Sequence, residues 1–221
     1  MLNRKRRSFV VIGLGSFGST VASELARLGG HVLGIGQDER NVTGLADTLS
    51  ETIIADGRDE EALREAGVDK YDVAVVAIGE DLEANILTTM NLKRLGVPVI
   101  WAKATSRNHR LILGKIGVDR VIQPEVEIGQ HVAQMLHNPQ LDDYVSLDHG
   151  NFIVYYTVPD PLEGRTLDSL ELFEKFKIRC LGVMRGAEYQ APSPGDFRLL
   201  VHDKLILLGA RQHLSAFHES L

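Results

Sequence analysis

The chain has 221 residues, 44% hydrophobic and 24% charged, with a formal net charge of −6 and one cysteine. This composition supports a folded core, argues against nucleic acid as the main partner, and excludes an internal disulfide or a thiolate-rich zinc site. No apolar run approaches the roughly 18 residues of a membrane span, and the run from Ser8 to Ile12 behind Arg4-Lys5-Arg6-Arg7 is too short for a signal peptide, so a cytoplasmic protein is expected.

In chain order, short apolar runs at Phe9–Ile12, His31–Ile35, Thr52–Ala55, Val73–Ile78, Val99–Lys103 and Arg120–Ile122 predict strands. Amphipathic stretches at Thr20–Leu28, Glu60–Ala66, Leu82–Leu95 and His109–Ile116 predict the helices between them. Apolar strands joined by helices of this length predict a parallel sheet covered on both faces. Asn138-Pro139-Gln140, followed by Asp142-Asp143, has the composition of a linker. Beyond it, Phe152–Val158 alternates as a strand does, Leu167–Phe176 predicts a short helix, and Ile178–Met184 and Lys204–Leu208 predict apolar strands. Ala191-Pro192-Ser193-Pro194-Gly195 is a loop between the last two. Cys180 falls inside the first of them, as a small buried side chain would.

The strongest local signal is Gly13-Leu14-Gly15-Ser16-Phe17-Gly18, directly after the first strand and opening a helix. Gly13 makes a tight turn, Gly15 lets backbone approach a phosphate, and Gly18 permits close packing of helix on strand. The helix N-terminus then offers free N–H groups and a partial positive charge to an anion. The fold expected is therefore α/β: a Rossmann-type doubly wound sheet over residues 1–139, with a small α+β domain over residues 140–221. An acid that binds ribose belongs about 20 residues past the loop, at the end of the second strand. That position holds Gly36, followed by Gln37-Asp38-Glu39-Arg40. Asp38 or Glu39 can reach a ribose there and Arg40 a phosphate; the same residues equally suit the acidic first turn of a second helix.

Several further blocks accompany the loop: Ala55-Asp56-Gly57, Val76-Ala77-Ile78-Gly79, Trp101-Ala102-Lys103-Ala104, and Ile116 to Glu125 with Pro124-Glu125 after the sixth strand. Together with Phe9–Gly18 they resemble the RCK (regulator of K⁺ conductance) family, KtrA/TrkA-type subunits in particular, over nearly the whole chain. The resemblance implies an N-terminal domain that binds an adenine nucleotide (ATP, ADP or NAD(H)) and a C-terminal TrkA-C domain that dimerises and binds a second ligand, cyclic di-AMP or a metal ion. It implies dimers assembled as an octameric ring under a membrane K⁺ channel or translocator of the Ktr/Trk type, hence a peripheral place at the inner face of the membrane.

Carried over by position, Gly13, Gly15 and Gly18 hold phosphates, Asp56 and Gly57 lie beside adenine, and Ala77, Ile78 and Gly79 line the mouth of the fourth strand. Lys103 faces phosphate, and Glu125 approaches the nucleotide and its cation, Mg²⁺ or another. Two departures accompany the resemblance. Relatives often carry an arginine where this chain has Ser16 and an aspartate where it has Gly36. Each removes a charge-assisted contact of about 1.5–3 kcal/mol, which leaves nucleotide choice open.

An NAD(P)-dependent oxidoreductase needs a positioned acid or base beside the nicotinamide. His149, His202, His213 and His218 are scattered, and His131 and His137, six apart, fall on different helix faces. A redox-sensing transcription factor needs a basic helix-turn-helix module, which neither end of the chain offers. A non-enzymatic regulator is expected.

Overall fold

The computed structural model describes residues 7–137, 141–147, 150–191 and 197–221. They divide into two compact units, one ending at Val126 and one beginning at Glu127. The first holds β1 (Ser8–Ile12), β2 (His31–Gly36), β3 (Glu51–Ile54), β4 (Val73–Val76), β5 (Val99–Lys103) and β6 (Arg120–Ile122). They form one sheet in the order β3-β2-β1-β4-β5-β6, every pair parallel. Its helices are α1 (Ser16–Arg27), α2 (Glu39–Thr43), α3 (Glu60–Glu65), α4 (Leu82–Arg94) and α5 (Arg107–Ile116), and α6 (Pro124–His137) starts in this unit and runs on into the second. Val10 and Ile12 of β1 join a buried cluster with Leu33, Ile35, Ala74 and Ile100. Val11, between them, joins a second cluster with Leu14, Ala22 and Val32. Period-two alternation thus feeds two cores from one strand, which is why these strands read as unbroken apolar runs. The strand order reverses between β1 and β4, and ligand crevices of doubly wound sheets open at that point.

Two details of the first unit differ from expectation. Helix α1 starts at Ser16, inside the glycine motif, because Gly15 already serves as its N-cap. Strand β4 stops at Val76, two residues early, because Ala77 and Ile78 belong to the crevice and not to the ladder.

The second unit is an antiparallel sheet of β7 (Leu141–Ser146), β8 (Asn151–Thr157), β9 (Arg179–Arg185), β10 (Glu188–Gln190) and β11 (Lys204–Ala210), in the order β10-β9-β11-β8-β7. Short helices α7 (Leu172–Phe176) and α8 (Arg211–Glu219) complete it. Val154, Tyr156, Val183, Leu205, Leu207 and Phe217 build its core. Asp142-Asp143, expected as linker, lies in β7, an edge strand of this sheet. The helix expected over Leu167–Phe176 is broken: a 3-10 turn at Asp168–Leu170, then Glu171 at φ 46°, then α7. Leu167, Leu170 and Leu172 are all buried only because of that break. Cys180 is half-buried in β9, where burial pushes its thiol pKa up. The linker at Asn138-Pro139-Gln140, residues 192–195 of the expected loop, Arg4–Arg6 and His149 lie outside the described residues. Among the described residues no helix is long and apolar enough to cross a membrane.

Candidate functional site

The three glycines of the loop do different things. Gly13 has φ +94°, and its N–H donates to the Ile35 carbonyl at 2.8 Å. A Cβ on Gly18 would lie 1.9 Å from the Gly13 oxygen, so both are demanded by the fold itself. Gly15 is different. Its backbone, at φ −70° and ψ −172°, suits any residue, and a Cβ there would meet nothing within 4 Å. The space above Gly15 is open, as a cradle for an external group must be. Leu14 is buried beneath the loop, Ser16 is exposed at the helix end, and the first turn of α1 carries no acid. The helix N-terminus therefore keeps its positive end for a ligand.

The far wall comes from the ends of β4, β5 and α6. Ala77 is tied to β1 by its N–H to the Ile12 carbonyl at 2.7 Å, and Ile78 and Gly79 follow half-buried. Lys103, at the end of β5, is only 8% exposed. Its Nζ lies 2.5 Å from Glu125 Oε1, at the first turn of α6, and 5.5 Å from the centre of the Phe17 ring. A Cβ on Gly79 would sit 3.0 Å from that same Nζ. The Lys103 ammonium holds the Glu125 carboxyl below the usual carboxylate range. Phe17, Gly79, Lys103 and Glu125, from four segments of the chain, are thus brought together beside the glycine loop.

The near wall comes from the ends of β2 and β3. Gly36 is buried and supplies no carboxylate. Asp38 caps α2, accepting from Arg40 N at 2.8 Å and Asn41 N at 3.1 Å, so these residues do begin a second helix. Gln37 bonds Asp56. The Asp56 carboxylate takes a two-pronged contact from Arg58, at 2.9 and 2.6 Å, which holds its pKa low. Arg40 is exposed. Gly57 packs so tightly on α4 that a Cβ would lie 2.5 Å from Thr88 Oγ1. Among the described residues no three His, Cys, Asp or Glu side chains gather as a metal would require.

A glycine cradle lies at the reversal of a parallel sheet, walled by a buried lysine, and a separate antiparallel unit follows it in the chain. Residues 9–124 match the TrkA-N domain and residues 153–221 the TrkA-C domain. The chain is 32% identical over 214 residues to the Ktr system potassium uptake protein A of Bacillus subtilis (strain 168), covering 96% of each. It is 34% identical over 215 residues to the protein of the same name from Vibrio alginolyticus, covering 97% of this chain and 98% of that one. The chain belongs to the RCK family, as a KtrA-type member. Among solved structures, the GsuK RCK domain superposes with a TM-score of 0.65 at 15% identity, over 99% of this chain and 48% of that one. The GsuK channel bound to NAD gives 0.63 at 14% identity, over 99% and 40%. Both likenesses show the fold of this RCK protein, which spans less than half of either solved chain.

Three site residues of this KtrA-type chain escaped the sequence. Arg58 follows the Asp56-Gly57 turn, and an acid one residue before a turn glycine with a basic residue after it was the available signal. Asn85 and His109 are fully buried polar residues beneath Lys103. Both sit on helices that read as ordinary amphipathic segments, and nothing local marks them.

Proposed function

We propose that this chain is the nucleotide-binding regulatory subunit of a membrane potassium uptake system, acting at the cytoplasmic face through its partner and catalysing no reaction. The observation that carries this is the open cradle above Gly15 facing the buried Lys103 ammonium. It supports a ligand with phosphates at the loop and its adenosine toward Asp56 and Gly57. Near-full-length similarity to proteins named for Ktr potassium uptake supplies the physiological setting, and a channel of the same fold described as bound to NAD supports the ligand class. The nucleotide domain is taken as residues 1–139 and the dimerising domain as 140–221. Exposed Ile128, Val132 and Leu136, at helical spacing along α6, support self-association into dimers and a ring.

With a nucleotide bound, its phosphates occupy the N-terminus of α1. Lys103 then has a choice of anion, phosphate or Glu125, and exchanging one for the other shifts α6 against the sheet. Coupling to a channel is bounded by the ligand's differential affinity for the two arrangements. A Mg²⁺ ion fits only if phosphate oxygens complete its shell, since Glu125 is a single carboxylate already neutralised by Lys103. For a second ligand of the cyclic di-AMP kind, the cleft lined by Leu167, Phe173, Arg179 and Cys180 offers a guanidinium 4.6 Å over an aromatic ring. Native mass spectrometry of the purified protein tests the proposal. An oligomer retaining adenine nucleotide is expected, whereas a monomer that retains none after incubation with ATP, ADP and NADH would sink it.

A further inference from the structure

Strands β4 and β5 run in register only as far as Val76↔Ala102. Beyond that pair the two chains part, β4 toward Ile78-Gly79 and β5 toward Lys103, in the far wall of the crevice. Asn85, with no exposed surface, sits in the gap. Its amide nitrogen donates to the Ile78 carbonyl at 2.6 Å and to the Lys103 carbonyl at 3.0 Å. With both amide hydrogens directed at carbonyls, Oδ1 faces His109 Nε2 at 3.2 Å as an acceptor. That fixes the tautomer: Nε2 carries the hydrogen and Nδ1 is bare. Nδ1 in turn faces the Thr105 N–H at 3.4 Å, a donor that only a bare nitrogen can receive. His109 is itself 1% exposed.

We infer that Asn85 and His109 are positioning residues of the nucleotide site: they set the spacing of the β4 and β5 ends, and so the place of the Lys103 ammonium beside the glycine loop. The inference rests on the nucleotide reading above. An asparagine alone has two amide orientations that differ by a flip, and only one puts two donors toward the two carbonyls. The His109 N–H selects that orientation, because the flipped amide would oppose donor to donor. Loss of the imidazole therefore does more than open a cavity. It frees the amide to turn, leaves the Ile78 or Lys103 carbonyl without a donor, and lets the strand end carrying Lys103 drift from its place. The group displaced is the one that meets phosphate, so the damage is phosphate-specific.

The test compares wild type, His109→Leu and His109→Gln in the full-length protein, by calorimetry with ATP and with adenosine. Glutamine presents an amide N–H near the place of Nε2, and leucine presents none. The expected result is a Kd for ATP raised about tenfold or more in His109→Leu, restored to within about threefold in His109→Gln, with adenosine changed less than about twofold in either. A folded His109→Leu protein with ATP affinity unchanged, or with equal losses for ATP and adenosine, overturns the inference while leaving the nucleotide reading intact. Wild type that binds neither ligand overturns both. If His109→Leu does not fold, nitrogen NMR of wild type decides. The Nε2–H tautomer, with ring signals that move on ATP but not on adenosine, is expected. Any other tautomer, or signals indifferent to ATP, overturns it.

Discussion

Lys103 carries a positive charge into a position 8% exposed, and Glu125 is the group that makes this tolerable. The two should respond to mutation with opposite signs. Lys103→Met removes a charge-assisted contact of about 1.5–3 kcal/mol, so metal-free ATP is expected to bind about tenfold weaker or worse by calorimetry. Glu125→Gln frees the ammonium from its competitor, so metal-free ATP is expected to bind tighter, while any gain from Mg²⁺ disappears. Weaker metal-free binding in Glu125→Gln would show that the carboxylate orients Lys103 and does not compete for it. His109 gives a pH signature of its own. Burial lowers its pKa, so the unfolded chain binds the proton more readily than the fold. The stability from the neutral ring is full above an unfolded pKa of about 6.5 and is lost as pH falls through the lower folded value. Denaturant midpoints should therefore fall below about pH 6.5, and His109→Gln should flatten that limb. Lys103 and Glu125 were singled out through the family resemblance, and their places at a strand end and a first helical turn are visible in one dimension. Asn85 and His109 were not, since their partners lie up to 24 residues away, and two are backbone carbonyls.

At the scale of the element, the loop offers a contrast between two glycines of one motif. Gly15→Asp keeps an ordinary backbone, meets open space and places a carboxylate at a helix N-cap. Its thermal midpoint is expected to hold or rise slightly while adenine nucleotide binding is lost, because the carboxylate takes the anion's place. Gly18→Ala puts a methyl 1.9 Å from a carbonyl oxygen, so it should destabilise by about 1–3 kcal/mol or more before any ligand is added. Retained ATP binding in Gly15→Asp, or an unperturbed midpoint in Gly18→Ala, would contradict the division of labour between them. The parallel strands were legible because both faces are buried and the apolar runs are continuous. The second unit was less so. Helix α8 mixes Arg211, His213 and His218 with Leu214 and Phe217; Phe217 is buried in the core, and Leu214 packs against it partly exposed. The break at Glu171 depends on a left-handed backbone that a glutamate does not advertise.

At the scale of the molecule, each unit has its own charged anchor. In the second, Asp203 is 3% exposed and accepts from Arg185 at 2.9 and 2.7 Å and from Leu200 N at 2.9 Å. Burial alone would raise its pKa, but these donors outweigh it and hold the carboxyl low. Arg185→Met strands that carboxylate. The cost is about 3 kcal/mol, at the lower end for a buried pair because the guanidinium is itself 36% exposed. Hydrogen exchange should speed up across β8, β9 and β11 while the parallel sheet is unaffected; acceleration in β1 would show that the two units share one unfolding unit. The parallel sheet has a constraint of another kind, set by the order in which it is made. β1 lies between β2 and β4, and its first residue is bonded to Asp72 across 64 positions. Synthesis proceeds at about 5–20 residues per second, so a nascent chain holds β1 with one edge open for seconds before Val73 arrives. Throughout that interval the glycine motif is complete in sequence, yet it lacks Ala77, Ile78 and Lys103. Nucleotide therefore cannot act as a template for the first half of the sheet, and can reward only a chain already grown past its fifth strand.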